Sequence, residues 1–294
     1  LTPLRIMAWP EEKYAHEIYQ DKSQLDKLIH EKFYIGAMKI VADGSLQLFS
    51  GFLSKPYHTQ TQPKKTDYKG YPSIEAQVLK ETVAKFHKKG YQLAIHGNGD
   101  AAIDNIINAI AAAQEQDYRA DPRHIVIHAQ MLREDQMDRM LKLGITPSFF
   151  SAHTYYWGDR HRDIFLGNER AQRISPTQTA LNKGLRFTTH LDSPVVPMDP
   201  MLMVWSSVNR LTSTGKLLGS DERISVMQAL RATTIDAAWQ IFKEDTLGSI
   251  EKGKLADLVI LQSNPIEDPE HIKDILVQQT IINGVVVYDR DSQN

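Results

Sequence analysis

Four residues of this chain could share one piece of chemistry: Lys39, His96, His128 and Asp192. Each lies within, at the end of, or just beyond a short apolar run: Ala37–Ala42, Gln92–His96, His124–His128 and Arg186–Thr189. In parallel α/β architectures the carboxyl ends of the strands carry the site. Two imidazoles and a carboxylate converging there suit Zn²⁺ and its neighbours, because neutral nitrogen and carboxylate oxygen are borderline to hard donors. The sequence has no cysteine, which removes thiolate ligands, thiolate nucleophiles and disulfides. Each residue also has a plainer reading. A strand-end histidine can be a hydrogen-bonded structural residue, and Asp192 before Ser193 and Pro194 can open a turn. Lys39 can snorkel or pair with an acid, and Asp100 can cap a helix. Spacing alone leaves these alternatives open.

The elements that would position these residues follow from periodicity. Strand-like runs at Leu4–Ala8, Ala37–Ala42, Gln92–His96, His124–His128, Ile145–Ser151 and Arg186–Thr189 are short and apolar, as in strands buried on both faces. Helical spacing recurs between them. Ser73–Lys89 carries Ile74, Val78, Val83 and Phe86 before Gly90, and Ala101–Gln114 carries Ile103, Ile106, Ile107 and Ile110 after Asp100. Arg133–Leu143 and Pro176–Lys183 stop at Gly144 and Gly184, a helix-ending signal. Further helices are predicted near Met198–Arg210 and Ser225–Phe242. Repeated βα units mean a parallel sheet. Six strands fall short of the eight a closed (β/α)8 barrel needs. The tail changes character: Asp257–Gln262 and Thr280–Tyr288 read as strands, the second broken by the turn pair Asn283-Gly284. Two regions are expected, a partial TIM barrel over 1–245 and a small β portion over 246–294.

Bulk properties narrow the partners. The 294 residues hold 34 Lys plus Arg against 36 Asp plus Glu, which gives no bulk positive charge for binding nucleic acid. No apolar run approaches the ~18 residues of a membrane span, so no membrane partner is expected. With 41% hydrophobic and 24% charged residues the composition is that of a globular chain. Nothing in it fixes the compartment.

Taken in order, Lys39-Ile-Val-Ala-Asp-Gly-Ser45, His96-Gly-Asn-Gly-Asp100, His128-Ala-Gln130 and Leu191-Asp192-Ser-Pro-Val195 resemble the amidohydrolase superfamily. More narrowly they resemble the amidohydrolase 3 family of metal-dependent hydrolases, which includes N-substituted formamide deformylase. Ala229–Ala238 is similar to the family's last barrel helix, and Thr246–Ile260 to the segment that closes its β-sandwich. The resemblance implies a (β/α)8 barrel, about strands 3 to 8 of it here, with one or two divalent metals, zinc above all. It implies that His96 and His128 are ligands and that Asp192 is both ligand and general base. Lys39 matches the lysine that is carboxylated and bridges two metals in some members. The metal would lower the pKa of bound water toward ~7, and Asp192 would take the proton and pass it to the leaving nitrogen. The implied substrate is a small molecule with a carbon–nitrogen bond: a non-peptide amide, an N-formyl group or a cyclic amide.

One departure qualifies this. The family's first strand carries a His-x-His pair, and this sequence contains none. Together with the start at Leu1, that leads us to expect a fragment or short form that corresponds to the carboxyl half of a family member and is inactive in isolation. Turnover of N-acyl or N-formyl substrates at full-enzyme rates with added Zn²⁺ would contradict this. Its open sheet edges would favour pairing with another copy or with a missing amino-terminal half. A different class of reading is a non-catalytic or regulatory relative, and a third is a lyase or isomerase on a similar barrel. An upstream reading frame containing His-x-His would favour the hydrolase; a complete protein without transition metal would favour the third reading. The Ala152–Asp159 segment is read as a loop whose His153, Tyr155 and Trp157 form the substrate's wall. Aromatic anchoring of that loop is the plainer alternative. Arg160, Arg162 and Arg170 could meet an anion or simply face solvent, and Asp43 and Ser45 could orient a ligand.

Overall fold

In a computed structural model, residues 3–14, 32–59 and 67–293 are described. Five strands form a parallel sheet in the order β3-β4-β5-β6-β7. They are β3 (Met38–Val41), β4 (Leu93–Gly97), β5 (His124–His128), β6 (Ile145–Phe149) and β7 (Thr188–Thr189). Register aligns Val41 with His96, Gly97 with His128, and His128 with Phe149, so the strand ends lie level.

Alternation divides the two faces. Met38, Ile40, Leu93, Ile95, Val126 and Phe149 point into one large apolar cluster, under the helices Ala76–Lys88, Asp100–Gln116 and Glu134–Leu143. Ala37, Ala94, Ile125 and Ile127 form a separate small cluster with Trp9 on the opposite face. Lys39, Ser148 and His190 also face that side, lining a common cavity. A parallel strand buried on both sides is apolar throughout, as these are, with polar residues confined to its ends.

The first expected strand departs from the sequence reading. β1 (Ile6–Ala8) is not part of the five-stranded sheet; it pairs in parallel with β2 (Phe33–Ile35). Arg5, just before it, forms an ion pair with Asp257 at the foot of the C-terminal strands. This segment's hydrogen bonding to the main sheet begins at Pro10, whose carbonyl accepts from the Lys39 N–H, with a bridge from Glu11 to Lys39. Among the described residues the main sheet is thus five strands extended by the Glu11–Lys39 bridge, short of a closed ring of eight.

The expected helices are present with small shifts. Gly99, not Asp100, caps Asp100–Gln116, and Asp100 instead accepts from Ser54 and Arg133. The Ser225–Phe242 stretch splits into Val226–Thr233 and Ile235–Gln240. The tail forms an antiparallel sheet of β8 (Leu258–Leu261), β9 (Val277–Ile282) and β10 (Val285–Asp289). Asn283 (φ 55°) and Gly284 (φ 77°) supply the left-handed pair that a tight hairpin turn requires. Among the described residues no helix is long and apolar enough to cross a membrane.

Candidate functional site

β4 and β5 are neighbours, so the histidines that end them meet. The His96 and His128 rings stand edge to face with centroids 4.5 Å apart. His128 sits at φ 70° and Ala129 after it at φ 45°, left-handed conformations a non-glycine residue adopts at a cost of about 1–3 kcal/mol. Asp192, beyond β7, is left-handed too, at φ 59°. Strained backbone at two of the four singled-out residues marks where the chain is bent to aim a side chain.

His96 is held from below by Asp43, which is fully buried. The Asp43 carboxylate accepts three backbone N–H groups: Phe52 at 2.9 Å, Asn98 at 2.9 Å and Gly99 at 2.8 Å. This knot needs glycine at 99, because a Cβ there would lie 1.9 Å from the Phe52 carbonyl oxygen. Asp43 Oδ1 also lies 3.2 Å from His96 Nδ1, a close contact that makes no hydrogen bond. The second residue expected to orient a ligand, Ser45, shows no such contact. It begins a 3₁₀ turn, and its backbone bonds to Ser50.

Lys39 and Asp192 line one cavity of about 820 Å³ together with His190 and Ser148. Its other walls are mostly apolar, with Trp9, Ile127, Leu191 and Met201 among them and Ser193, Thr233, Thr234 and Thr280 as the polar exceptions. Burial pushes the Lys39 ammonium down to about 8, although Asp192 and Glu11 oppose the fall. An amine lowered this far is partly neutral near pH 8, the form that can react with CO₂. Burial raises the Asp192 carboxyl, while Lys39 and His96 pull it the other way. His128 lies well below the ordinary histidine range, first through burial and then through the neighbouring His96 and His190, so it is a neutral imidazole at pH 7.

His190 is the residue the sequence reading missed. Its Nε2 lies 3.0 Å from His128 Nδ1, and its Nδ1 lies 2.8 Å from Ser148 Oγ. The available signal was its place two residues before Asp192, at the end of a strand, the same logic that selected His96 and His128.

The expected aromatic loop is a helix, His153–Arg160, that runs on into a π turn at His161–Phe165. Gly158 weakens the helical signal in the sequence, yet a Cβ there would meet Thr212 Cγ2 at 2.7 Å, so packing requires the gap. Tyr155 packs on Trp205 with ring centroids 5.6 Å apart, and Trp157 stands edge-on to Phe150 at 5.9 Å. His153 is buried against Phe150 with its Nδ1 unpartnered, 6.1 Å from the His128 ring. None of the three lines the cavity that holds Lys39 and Asp192. His161 is buried with its Nε2 2.9 Å from Gln130 Nε2. The arginines are occupied: Arg162 pairs with Asp159 and Asp163, Arg170 donates to the carbonyls of Leu166 and Pro56, and Arg160 lies over the Phe165 ring.

The structure therefore gathers the four singled-out residues as two pairs: His96 with His128, and Lys39 with Asp192, with His190 next to both. Their chemistry, neutral imidazole nitrogen with carboxylate oxygen, fits a divalent cation. Among the described residues, however, no three His, Asp or Glu side chains are grouped closely enough to hold a metal ion.

Among curated proteins the chain is 30% identical over 283 residues to YtcJ of Bacillus subtilis (strain 168), covering 94% of this chain and 51% of that protein. It is 28% identical over 270 residues to the N-substituted formamide deformylase of Arthrobacter pascens, covering 90% of this chain and 48% of that enzyme. The chain spans about half the length of the curated relatives it matches. Among solved structures, an uncharacterized metal-dependent hydrolase from Pyrococcus horikoshii OT3 superimposes with a TM-score of 0.74 at 24% identity, over 90% of this chain and 52% of that one; this is a likeness of fold. A sequence profile of the amidohydrolase family matches residues 2–288. With that match running nearly end to end over a parallel α/β sheet, the chain belongs to the amidohydrolase family.

Proposed function

We propose that this chain carries part of the active site of a metal-dependent hydrolase that cleaves a carbon–nitrogen bond in a non-peptide amide, an N-formyl group or a cyclic amide. The observation that carries the reading is the edge-to-face meeting of His96 and His128 at adjacent strand ends, with Lys39 and Asp192 lining one cavity beside them. His96 and His128 would hold the metal, zinc being the ion their nitrogens suit, with Asp192 as a further ligand. Lys39, lowered by burial, would join them as a carbamate where two ions bind. The metal, when bound, supplies an activated water and polarises the substrate carbonyl. Asp192 then holds the proton that the water gives up and returns it to the leaving nitrogen; its raised pKa suits that exchange. The apolar wall of Trp9, Leu191 and Met201 would receive the substrate's organic group, and His153, whose ring lies 6.1 Å from that of His128, would bound the site outside that cavity with Trp157 packed behind it.

The test is zinc retention combined with one substitution. The 294-residue chain is expected to retain zinc after dialysis, with affinity lowered at least about tenfold in Asp192→Asn. In an enzyme that also carries a first-strand His-x-His, Asp192→Asn is expected to cut turnover about 10²–10⁴-fold with metal still bound. The 294 residues alone are expected to turn over N-formyl substrates far more slowly than such an enzyme. A chain that retains no transition metal, or turnover unaffected by Asp192→Asn, would overturn the proposal.

A second reading, a non-catalytic relative that binds or regulates, draws on one observation: no three potential ligands are grouped among the described residues. Zinc retention with a small-molecule ligand bound but never hydrolysed, in the longer enzyme as well, would favour it.

A further inference from the structure

The inference concerns His190, and it deepens the proposed function by resting on His128 as a ligand. His190 leaves β7 with its backbone N–H donating to the Phe149 carbonyl at 3.0 Å. On β6, the Phe149 side chain points into the apolar core, so Ser148 beside it points into the cavity, the side His190 occupies. Ser148 is small, and across it the His190 ring reaches from the end of β7 to the end of β5. There its Nε2 stands 3.0 Å from His128 Nδ1, while its Nδ1 stands 2.8 Å from Ser148 Oγ. The two rings lie 5.0 Å apart between centroids, and Phe150 packs against both.

A neutral imidazole has one donor and one acceptor nitrogen, so this chain of contacts can run in only two senses. In the first, Ser148 donates to His190 Nδ1, His190 Nε2–H donates to His128 Nδ1, and His128 carries its proton on Nε2. That nitrogen then has no lone pair for a metal. In the second, His128 Nδ1–H donates to His190 Nε2, His190 Nδ1–H donates to Ser148 Oγ, and the His128 Nε2 lone pair is free. Only the second sense makes His128 a ligand. Metal-bound histidines are held by an acceptor on their other nitrogen, usually a carboxylate or carbonyl. At His96 a carboxylate, Asp43, lies nearest the Nδ1. At His128 the corresponding neighbour is a second histidine.

We propose that His190 is a positioning residue, which accepts the His128 Nδ1 proton and so fixes the ring and the tautomer that frees His128 Nε2 for a metal. Ser148 completes the arrangement by accepting from His190 and by leaving room for it. Of the nearby histidines, His190 is the one whose Nε2 already has a ring partner, so it supports a ligand and is not counted as one.

The test uses the 294-residue protein with histidine labelled in ¹⁵N, titrated with Zn²⁺ and with a competing chelator. In the wild type, the zinc-loaded His128 is expected to show a protonated Nδ1 and a metal-shifted Nε2. His190→Ala is expected to weaken zinc binding about 10–100-fold and to leave His128 in mixed tautomers. His190→Gln, whose side-chain oxygen can accept the same proton, is expected to recover most of both, and Ser148→Ala to cost less than His190→Ala. Retention of the wild-type circular dichroism spectrum by the variants separates positioning from loss of fold. Wild-type zinc affinity and a single unchanged His128 tautomer in His190→Ala would overturn the inference, as would His190→Gln behaving like His190→Ala. Should the wild type bind no zinc while His128 still loses its fixed Nδ1–H tautomer in His190→Ala, the positioning role stands and the hydrolase reading falls.

Discussion

The strand β5 carries a histidine at each end, both buried, and the two ends use them in opposite ways. At the amino end, His124 Nδ1 accepts from the Leu93 N–H at 3.0 Å, which puts the proton on Nε2. That proton faces His87 Nδ1 at 2.9 Å, and His87 Nε2 in turn donates to the Asp117 carbonyl at 2.7 Å. Every nitrogen has a partner and only one arrangement of protons satisfies them all. Arg123 closes the same end, sandwiched by Trp239 and Phe242 and paired with Glu244. At the carboxyl end, His128 stands in left-handed backbone, the His96 and His153 Nδ1 atoms have no hydrogen-bond partner, and the neighbouring His190 lines a cavity. Buried polar groups are satisfied where their purpose is stability, and an unsatisfied cluster needs another explanation. The contrast separates a structural histidine from a candidate ligand better than residue type or strand position does.

The sharpest break of this comparison is a swap of substitutions on the one strand. His128→Asn tolerates the left-handed backbone and removes the ring, so it should weaken zinc binding about 100-fold with little loss of stability. His124→Ala should do the reverse. It strands the Leu93 N–H and His87 and leaves a cavity, which should cost about 2–4 kcal/mol in urea denaturation with zinc affinity unchanged. Equal zinc loss in both variants would erase the distinction. A smaller effect probes the strain. His128→Gly should be about 1–2 kcal/mol more stable than His128→Ala, because glycine adopts φ 70° freely; equal stabilities would mean the left-handed backbone stores nothing.

The pH dependence gives a third measure. Burial, with His87 and Arg119 nearby, holds His124 well below its ordinary 6.5, so the unfolded chain binds a proton there that the folded one refuses. Its contribution to stability is complete above pH 6.5 and falls as the pH drops below that value. One such group gives a slope of up to about 1.4 kcal/mol per pH unit. His124→Asn, which keeps an acceptor for Leu93, should remove one proton's worth of that slope; an unchanged slope would mean the ring titrates normally. Smallest is Arg123→Met, expected to cost about 1 kcal/mol through lost cation–π and ionic contacts without touching zinc affinity.

Much of this was legible in the sequence. The apolar runs ending in His96 and His128 located the strand ends because βα repetition fixes the direction of every strand. Asp192 and Lys39 followed from the same rule. What was not legible depends on sizes and contacts across strands. His190 reaches His128 because Ser148 is small, a fact carried by no local pattern. Ile6–Ala8 left the main sheet because Phe33–Ile35, three residues before Gly36 and the next strand, gave it a nearer parallel partner. His153–Arg160 became helix in spite of Gly158 because its aromatic face packs on Trp205 and Phe150. His124 stood in the sequence only as the first residue of a strand run, and only its contacts reveal the lock it forms with His87.

A ¹⁵N spectrum of the histidines during zinc titration tests the division between the two ends most directly. The His96 and His128 nitrogens are expected to shift with zinc, while those of His87 and His124 hold one fixed pair of tautomers throughout. Zinc-dependent shifts at His87 or His124, or none at His96 and His128, would contradict it.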